Sequence, residues 1–244
     1  MGHDPDGWQR DVLESSEKRQ AMLCTRQAGK STTTAARVLN TAYQNPGRDC
    51  LVFSPTLRQS MELLRKVNQF HHAVGRVVRA VSANKTAVEF ANGARVFSLP
   101  DSHKGVVGFS APKLIVIDEA SRVSDDLYKS VRPMLATAPD AELVVLSTPF
   151  GQRGWFFDLF DDSAEARQRR GDADPWTRTR VTADRCPRIS AAFLDEERVE
   201  LGDRWFRQEY YCSFEEAADA VFASGTIAAA ADSDAGRPLF LGVA

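Results

Sequence analysis

The chain has 244 residues, 43% of them hydrophobic, enough apolar material for one sizeable core or a core domain plus a small appendage, which excludes disorder as the default state. Its 31 basic and 33 acidic side chains leave a net charge of -2, so there is no global basic signature and any nucleic-acid contact needs a local patch. The four cysteines, Cys24, Cys50, Cys186 and Cys212, form no Cys-x-x-Cys pair and no apolar run approaches the ~20 residues of a membrane helix, which argues against a disulfide frame, a zinc site or a membrane span. The N-terminus, with Asp4, Asp6 and Trp8, lacks the basic and apolar regions of a signal peptide, so a soluble, intracellular protein is expected.

Four short apolar runs stand out along the chain: Ala21 to Cys24, Cys50 to Phe53, Leu114 to Ile117 and Leu143 to Leu146. They are continuously apolar rather than alternating and are separated by helix-length segments, which predicts a mostly parallel sheet covered on both faces, an α/β architecture. After Ser31, Ala35, Val38, Leu39 and Ala42 recur at helical spacing until Asn45-Pro46-Gly47 stops them. A further helix is predicted from Leu57 to about Phe70, with Met61, Leu64 and Val67 on one side. Between Arg76 and Leu99 the pattern is β-rich, and Asn92-Gly93 offers a tight hairpin turn. Beyond Pro149 the texture changes: residues 161–190 are charged and turn-rich, helical patterns return at Ala191 to Leu201 and Asp203 to Tyr211, and the segment reads as a small second subdomain. Pro238 to Ala244 reads as the beginning of a strand.

The run Cys24-Thr25-Arg26-Gln27-Ala28-Gly29-Lys30-Ser31 follows a predicted strand and opens a predicted helix, the context a phosphate-binding loop requires. Its backbone from Thr25 through Gln27, Ala28 and Gly29 to Ser31 and Thr32 presents N–H groups at a helix start, where the helix dipole also favours phosphate. Gly29 permits close approach, Lys30 would reach the β- and γ-phosphates of ATP, and the Ser31 hydroxyl would ligate Mg²⁺. Cys24 stands where the usual pattern has its first glycine. The run Leu114-Ile115-Val116-Ile117-Asp118-Glu119 is an apolar strand ending in two acids at the sheet edge where ligands of open α/β sheets bind. Asp118 would hold the metal, directly or through water, and Glu119 would orient and deprotonate the attacking water. Ser147-Thr148-Pro149 ends the next strand; its hydroxyls would sense the γ-phosphate, or the turn is ordinary loop punctuation. Trp8-Gln9 offers an amide for the adenine edge, or is a surface helix with one buried tryptophan.

This ordered set, with Ser54-Pro55-Thr56, Gly151-Gln152-Arg153-Gly154 and Phe206-Arg207-Gln208-Glu209-Tyr210, resembles the large terminase subunit of tailed bacteriophages over nearly the whole chain. The resemblance implies a RecA-like P-loop NTPase of the ASCE type, hydrolysing ATP to translocate double-stranded DNA into a prohead. It would work as a homo-oligomeric ring, monomeric when isolated, with the portal protein and small terminase subunit in the bacterial host's cytoplasm. It implies that Arg26 contacts the γ-phosphate, although an ion-pair role is the alternative, and it leaves Arg122 and Arg153 as possible fingers reaching a neighbouring subunit. It divides the chain into an ATPase core at 1–150, a linker or lid subdomain at 151–220 and, at 221–244, the truncated start of an RNase H-like nuclease domain. Its first nuclease strand would be Leu239 to Val243, with Ala244 where a catalytic aspartate is expected, so no metal nuclease activity is expected of this chain. Candidate DNA contacts are His103, Lys104 and the cluster Arg167, Arg169, Arg170, Arg178 and Arg180, which is otherwise a solvated charged face. The rival class is a DExx helicase-like, DNA-dependent ATPase with a single RecA core, disfavoured because such helicases place ATP between two such domains.

Overall fold

The computed structural model describes residues 4–102, 108–171 and 174–216. The four apolar runs are all strands: β1 (Arg19–Cys24), β2 (Asp49–Ser54), β6 (Leu114–Asp118) and β7 (Glu142–Ser147). With β3 (Ala80–Ala83), β4 (Ala87–Phe90), β5 (Arg95–Pro100) and β8 (Thr177–Val181) they form one eight-stranded sheet in the order β3-β4-β5-β2-β6-β7-β1-β8. From β5 to β8 every neighbour is parallel, and the antiparallel β3 and β4 extend the β5 edge.

The continuous apolar runs follow from burial on two faces, since successive side chains of a strand point to opposite sides. Met22, Val52, Val116 and Leu146 pack on one face against α1 (Gly7–Glu14), α2 (Lys30–Gln44) and α3 (Leu57–Ala73), through Trp8, Val12, Val38, Leu39, Leu64 and Val67. Leu23, Phe53, Ile117 and Val145 pack on the other against α4 (Asp125–Ala136) and α5 (Gly154–Phe160), through Leu127, Val131, Trp155 and Phe156. Each such side chain, removed fully from water, contributes about 1.5–3 kcal/mol before conformational entropy is counted.

On α3 the buried stripe is Ser60, Leu63, Leu64, Val67 and His71; Leu64 and Val67 match the expected face, whereas Met61 lies off it and is only half-buried. Asn92-Gly93 does turn β4 into β5: Gly93 has φ +81°, the Phe90 N–H donates to the Ala94 carbonyl at 2.9 Å, and the Asn92 amide ties the turn to the Ala42 and Tyr43 carbonyls at the end of α2.

Beyond residue 150 come α5, α6 (Ala164–Arg170), β8 and α7 (Ala191–Tyr211). The two helical patterns at 191–201 and 203–211 are the arms of α7, separated by non-helical Gly202 at φ 73° and ψ 157°. The boundary expected at residue 150 is not a boundary of the sheet, because β8 pairs with β1 and α5 packs in the same core as α4. The segment read as charged and turn-rich contains this strand, Thr-Arg-Thr-Arg-Val, half-exposed because an edge strand has one neighbour. The proposed start of a nuclease domain, 221–244, lies outside the described residues.

Candidate active site

β1, β6 and β7 are neighbouring parallel strands, so their carboxyl ends bring Thr25, Asp118 and Ser147 to one edge. Out of β1 the chain makes the loop 25–29. Gln27 has φ 59° and Gly29 φ 91°, and α2 starts at Lys30 with the Thr32 and Thr33 N–H groups bonded back to the Gly29 carbonyl at 3.0 Å. The N–H groups of Lys30 and Ser31 thus stand at the helix start, ahead of its internal ladder and at the positive end of its dipole. Cys24 and Ala28 are fully buried, so the position usually held by glycine is here a packing position. Burial pushes the Cys24 thiol pKa up, which keeps it protonated.

The loop is anchored from a distance. The Thr25 N–H donates to the Val181 carbonyl at 2.8 Å, and the Thr25 hydroxyl and Arg26 N–H donate to the Glu209 carbonyl at 3.0 and 3.2 Å. Arg26 also forks its guanidinium onto the buried Glu209 carboxylate, the main cause that raises its pKa. On the opposite side the Gln9 amide and Arg188 guanidinium donate to the Ala28 carbonyl at 3.4 and 2.9 Å. Gln9 accepts from the Asp6 N–H at 2.9 Å, and Arg188 pairs with Asp6 at 2.8 Å, which closes a ring of contacts over the loop.

A cleft of about 390 Å³ lies along this loop, lined by Gln9, Arg26, Gln27, Gly29, Lys30, Ser31, Thr32, Lys66 and Arg188 together with Pro5. A smaller slot of about 210 Å³ is bounded by Arg26, Lys30, Gln59, Glu119, Arg122 and Thr148. Arg26 and Lys30 line both spaces. Every residue expected at the site therefore lies at this edge, Gln9 included, with its tryptophan neighbour buried.

Asp118 is only 6% exposed and accepts the Glu119 N–H at 3.0 Å. Burial, followed by the adjacent Glu119 charge, pushes its pKa up to about 6, with Lys30 opposing. A buried oxygen anion whose charge is so penalised is suited to a cation. Ser31, which lines the cleft, and the buried Asp118 supply hard oxygen donors. That sparse set fits Mg²⁺, which keeps waters and phosphate ligands rather than a full protein cage. Lys30 Nζ lies 3.4 Å from Glu119 Oε1, and Arg122 Nη1 lies 3.4 Å from Oε2. Ser147 and Thr148 are buried; Ser121 Oγ bonds Ser147 Oγ at 2.7 Å and donates to the Thr148 carbonyl at 2.9 Å, which ties the β6 and β7 ends together.

Glu209, Arg188, Lys66 and Gln59 carry no role in the sequence reading. Glu209 does fall inside the Phe206 to Tyr210 motif, the one signal that pointed toward it. The arginines of the charged cluster differ in their surroundings. Arg178 donates to the Leu159 and Trp176 carbonyls and pairs with Asp174, and Arg170 lies 3.4 Å from the same carboxylate and donates to the Asp158 carbonyl. Both are structural ion-pair partners; Arg167 and Arg169 remain exposed, and His103 and Lys104 lie outside the described residues.

Comparison with known proteins places these features in a family. The model described as "Terminase large subunit, T4likevirus-type, N-terminal" matches residues 21–228. The large terminase subunits of Thermus virus P23-45 and Thermus phage G20c are each 23% identical over 256 residues, covering 91% of this chain and 51% of theirs, so the chain spans about half the length of these curated relatives. The fold matches the large terminase ATPase domain of Thermus phage P74-26, with TM-score 0.70, 18% identity, and coverage of 88% of this chain and 95% of that one. It also matches the large terminase of the thermophilic bacteriophage D6E, with TM-score 0.71, 11% identity, and coverage of 87% and 54%. The same D6E protein in complex with ADP gives TM-score 0.68 at 12% identity over 86% and 54% of the two chains. The fold is thus the RecA-like α/β fold of terminase ATPase domains, and the chain belongs to the family of N-terminal domains of terminase large subunits of the T4likevirus type.

Proposed function

We propose that this chain binds Mg-ATP and hydrolyses it as the motor module of a DNA-packaging terminase. The observation that carries the reading is the juxtaposition of Lys30 with Glu119 at 3.4 Å, beside a left-handed glycine that opens a helix at the same sheet edge. In this reading the backbone of Thr25, Gln27, Ala28, Gly29, Lys30, Ser31 and Thr32 cradles the phosphates, and Lys30 leaves Glu119 for the β- and γ-phosphates. Ser31 and Asp118 would hold Mg²⁺, which when bound would neutralise charge developing on the phosphate oxygens. Glu119 orients the attacking water and accepts its proton, a contribution of roughly 10²–10⁴-fold for a well-placed base. Gln9, which lines the cleft, keeps one amide hydrogen and one lone pair beyond its bonds to Ala28 and Asp6, a donor and acceptor pair that complements the adenine edge. Thr148 borders the slot where a γ-phosphate would sit. Arg26 would reach that phosphate by exchanging Glu209 for it; both are oxygen anions that accept a guanidinium fork.

Hydrolysis would drive double-stranded DNA, with the portal protein and small terminase subunit as partners, in a homo-oligomeric ring in the bacterial host's cytoplasm. The helicase alternative is not favoured, because the family match is to terminases. The test is steady-state ATPase activity of wild type, Lys30→Ala and Glu119→Gln across protein concentration, with and without duplex DNA. The expected outcome is turnover that rises more than linearly with concentration and disappears in both variants. Turnover that survives Glu119→Gln would reject the assigned base.

A further inference from the structure

Glu119 is held by more than the lysine that function requires it to release. Its backbone is left-handed at φ 51° and ψ 43°, a conformation that costs a side-chain-bearing residue about 1 kcal/mol or more and needs the surroundings to impose it. The Asp118 carboxylate accepts its N–H at 3.0 Å, and its carbonyl accepts the Arg122 N–H at 2.9 Å, which closes a short 3-10 turn over Ala120–Arg122. That turn sends the Arg122 side chain back over Glu119, where Nη1 is 3.4 Å from Oε2. The guanidinium carbon of Arg122 lies 4.4 Å from the centre of the Phe150 ring, two residues past Thr148, a flat cation on a flat aromatic face. With only 28% of its side chain exposed, Arg122 is committed to the slot of its own chain, whereas Arg153 is exposed and 5.9 Å from the same ring.

The two cations on Glu119 have different fates. Lys30 must move to the phosphates when ATP binds, so of the two only Arg122 can hold the carboxylate while the water attacks the γ-phosphate. We infer that Arg122, braced by Phe150, is the positioning residue of the catalytic glutamate and acts within its own subunit rather than as a finger for a neighbour. The inference rests on the hydrolytic reading of the site. A freed glutamate can follow Lys30 or swing into the slot, and a misplacement of about 1 Å in such a group costs on the order of 10²-fold in rate.

The experiment compares kcat, KM and the dissociation constant of a slowly hydrolysed ATP analogue for wild type, Arg122→Ala and Arg122→Lys, with thermal unfolding as a check on folding. It adds a mixture of Arg122→Ala chains with Glu119→Gln chains. For Arg122→Ala the expected result is a kcat lower by about 10–100-fold at unchanged KM and unchanged analogue affinity. Arg122→Lys should recover part of the loss, because a point charge still meets Oε2 but stacks poorly on Phe150. The mixture should stay as inactive as its components. An unaltered kcat in Arg122→Ala overturns the inference alone. So does a loss confined to KM or affinity, or activity restored on mixing, since Glu119→Gln chains carry an intact Arg122 that could act only across subunits. A wild-type chain that binds the analogue without turnover overturns the hydrolytic reading and this inference with it.

Discussion

Adding one methyl group at Gly29 tests the geometry of the loop most directly. The residue sits at φ 91° and ψ 14°, and a Cβ there would lie 2.7 Å from the Gln9 amide nitrogen and 3.6 Å from Arg188. An alanine forced into the left-handed region costs about 1–2 kcal/mol. The Gln9 amide must also withdraw. It is the end of a flexible side chain, but it bonds Asp6 and Ala28, and losing such a bond costs about 0.5–1.5 kcal/mol. Reduced unfolded-chain entropy returns about 0.4–1 kcal/mol. The net destabilisation is about 1–3 kcal/mol, which for a chain of this size lowers Tm by about 3–10 °C. Differential scanning fluorimetry of Gly29→Ala, with and without Mg-ATP analogue, reads both consequences: a lower Tm in the free protein, and a nucleotide-induced rise reduced because the loop no longer closes on phosphate. In Gly29→Ala with Gln9→Ala, the crowding disappears while the backbone cost remains, so the methyl's own penalty should shrink. A Gly29→Ala chain with wild-type Tm and wild-type nucleotide shift would refute the reasoning.

Two further outcomes follow from buried charge. Because Asp118 titrates near 6 in the folded state and at 3.8 ordinarily, the unfolded chain gives up its proton first as pH rises; the metal-free fold loses stability between those values and stays penalised above them. Asp118→Asn should therefore stabilise the metal-free protein by up to about 3 kcal/mol at pH 7.5 and by little near pH 4, while abolishing stabilisation by Mg-ATP; chemical denaturation at the two pH values checks this. Arg37, 6% exposed, donates to the Val12 carbonyl, to Gln20 at 3.1 Å and to Glu142 at 2.7 Å, linking α1, β1 and β7. Arg37→Met strands those acceptors and should cost about 3–5 kcal/mol in urea unfolding at neutral pH; a loss below 1 kcal/mol would show the network to be dispensable.

The candidate site was legible wherever its members are consecutive. A strand, a turn with glycine at its left-handed position and a helix beginning with Lys-Ser is a local arrangement, and so is an apolar strand that ends in two acids. The anchors were not legible in the same way. Glu209 grips a loop 184 residues before it, and Arg188 reaches Ala28 across 160. Nothing in the neighbourhood of an exposed-looking glutamate or arginine indicates which partner folding will deliver, since an ion pair depends on final separation and not on spacing in the chain. The same limit hid β8, a half-exposed strand whose pairing with β1 joins residues distant in the chain.

By itself, then, the sequence determined the elements and the chemistry of the loop, because backbone preference and hydrophobic periodicity act over a few residues. It specified a buried parallel sheet, two strand-end acids and a phosphate loop opening a helix. Only the tertiary structure decided that β7 lies between β6 and β1, so that Asp118, Ser147 and Thr25 meet. It also decided that Arg26 is held by Glu209 and that Glu119 rests between Lys30 and Arg122. Those are choices among many charged groups of equal local character, and they are made when the sheet closes and burial leaves each charge its nearest satisfiable partner.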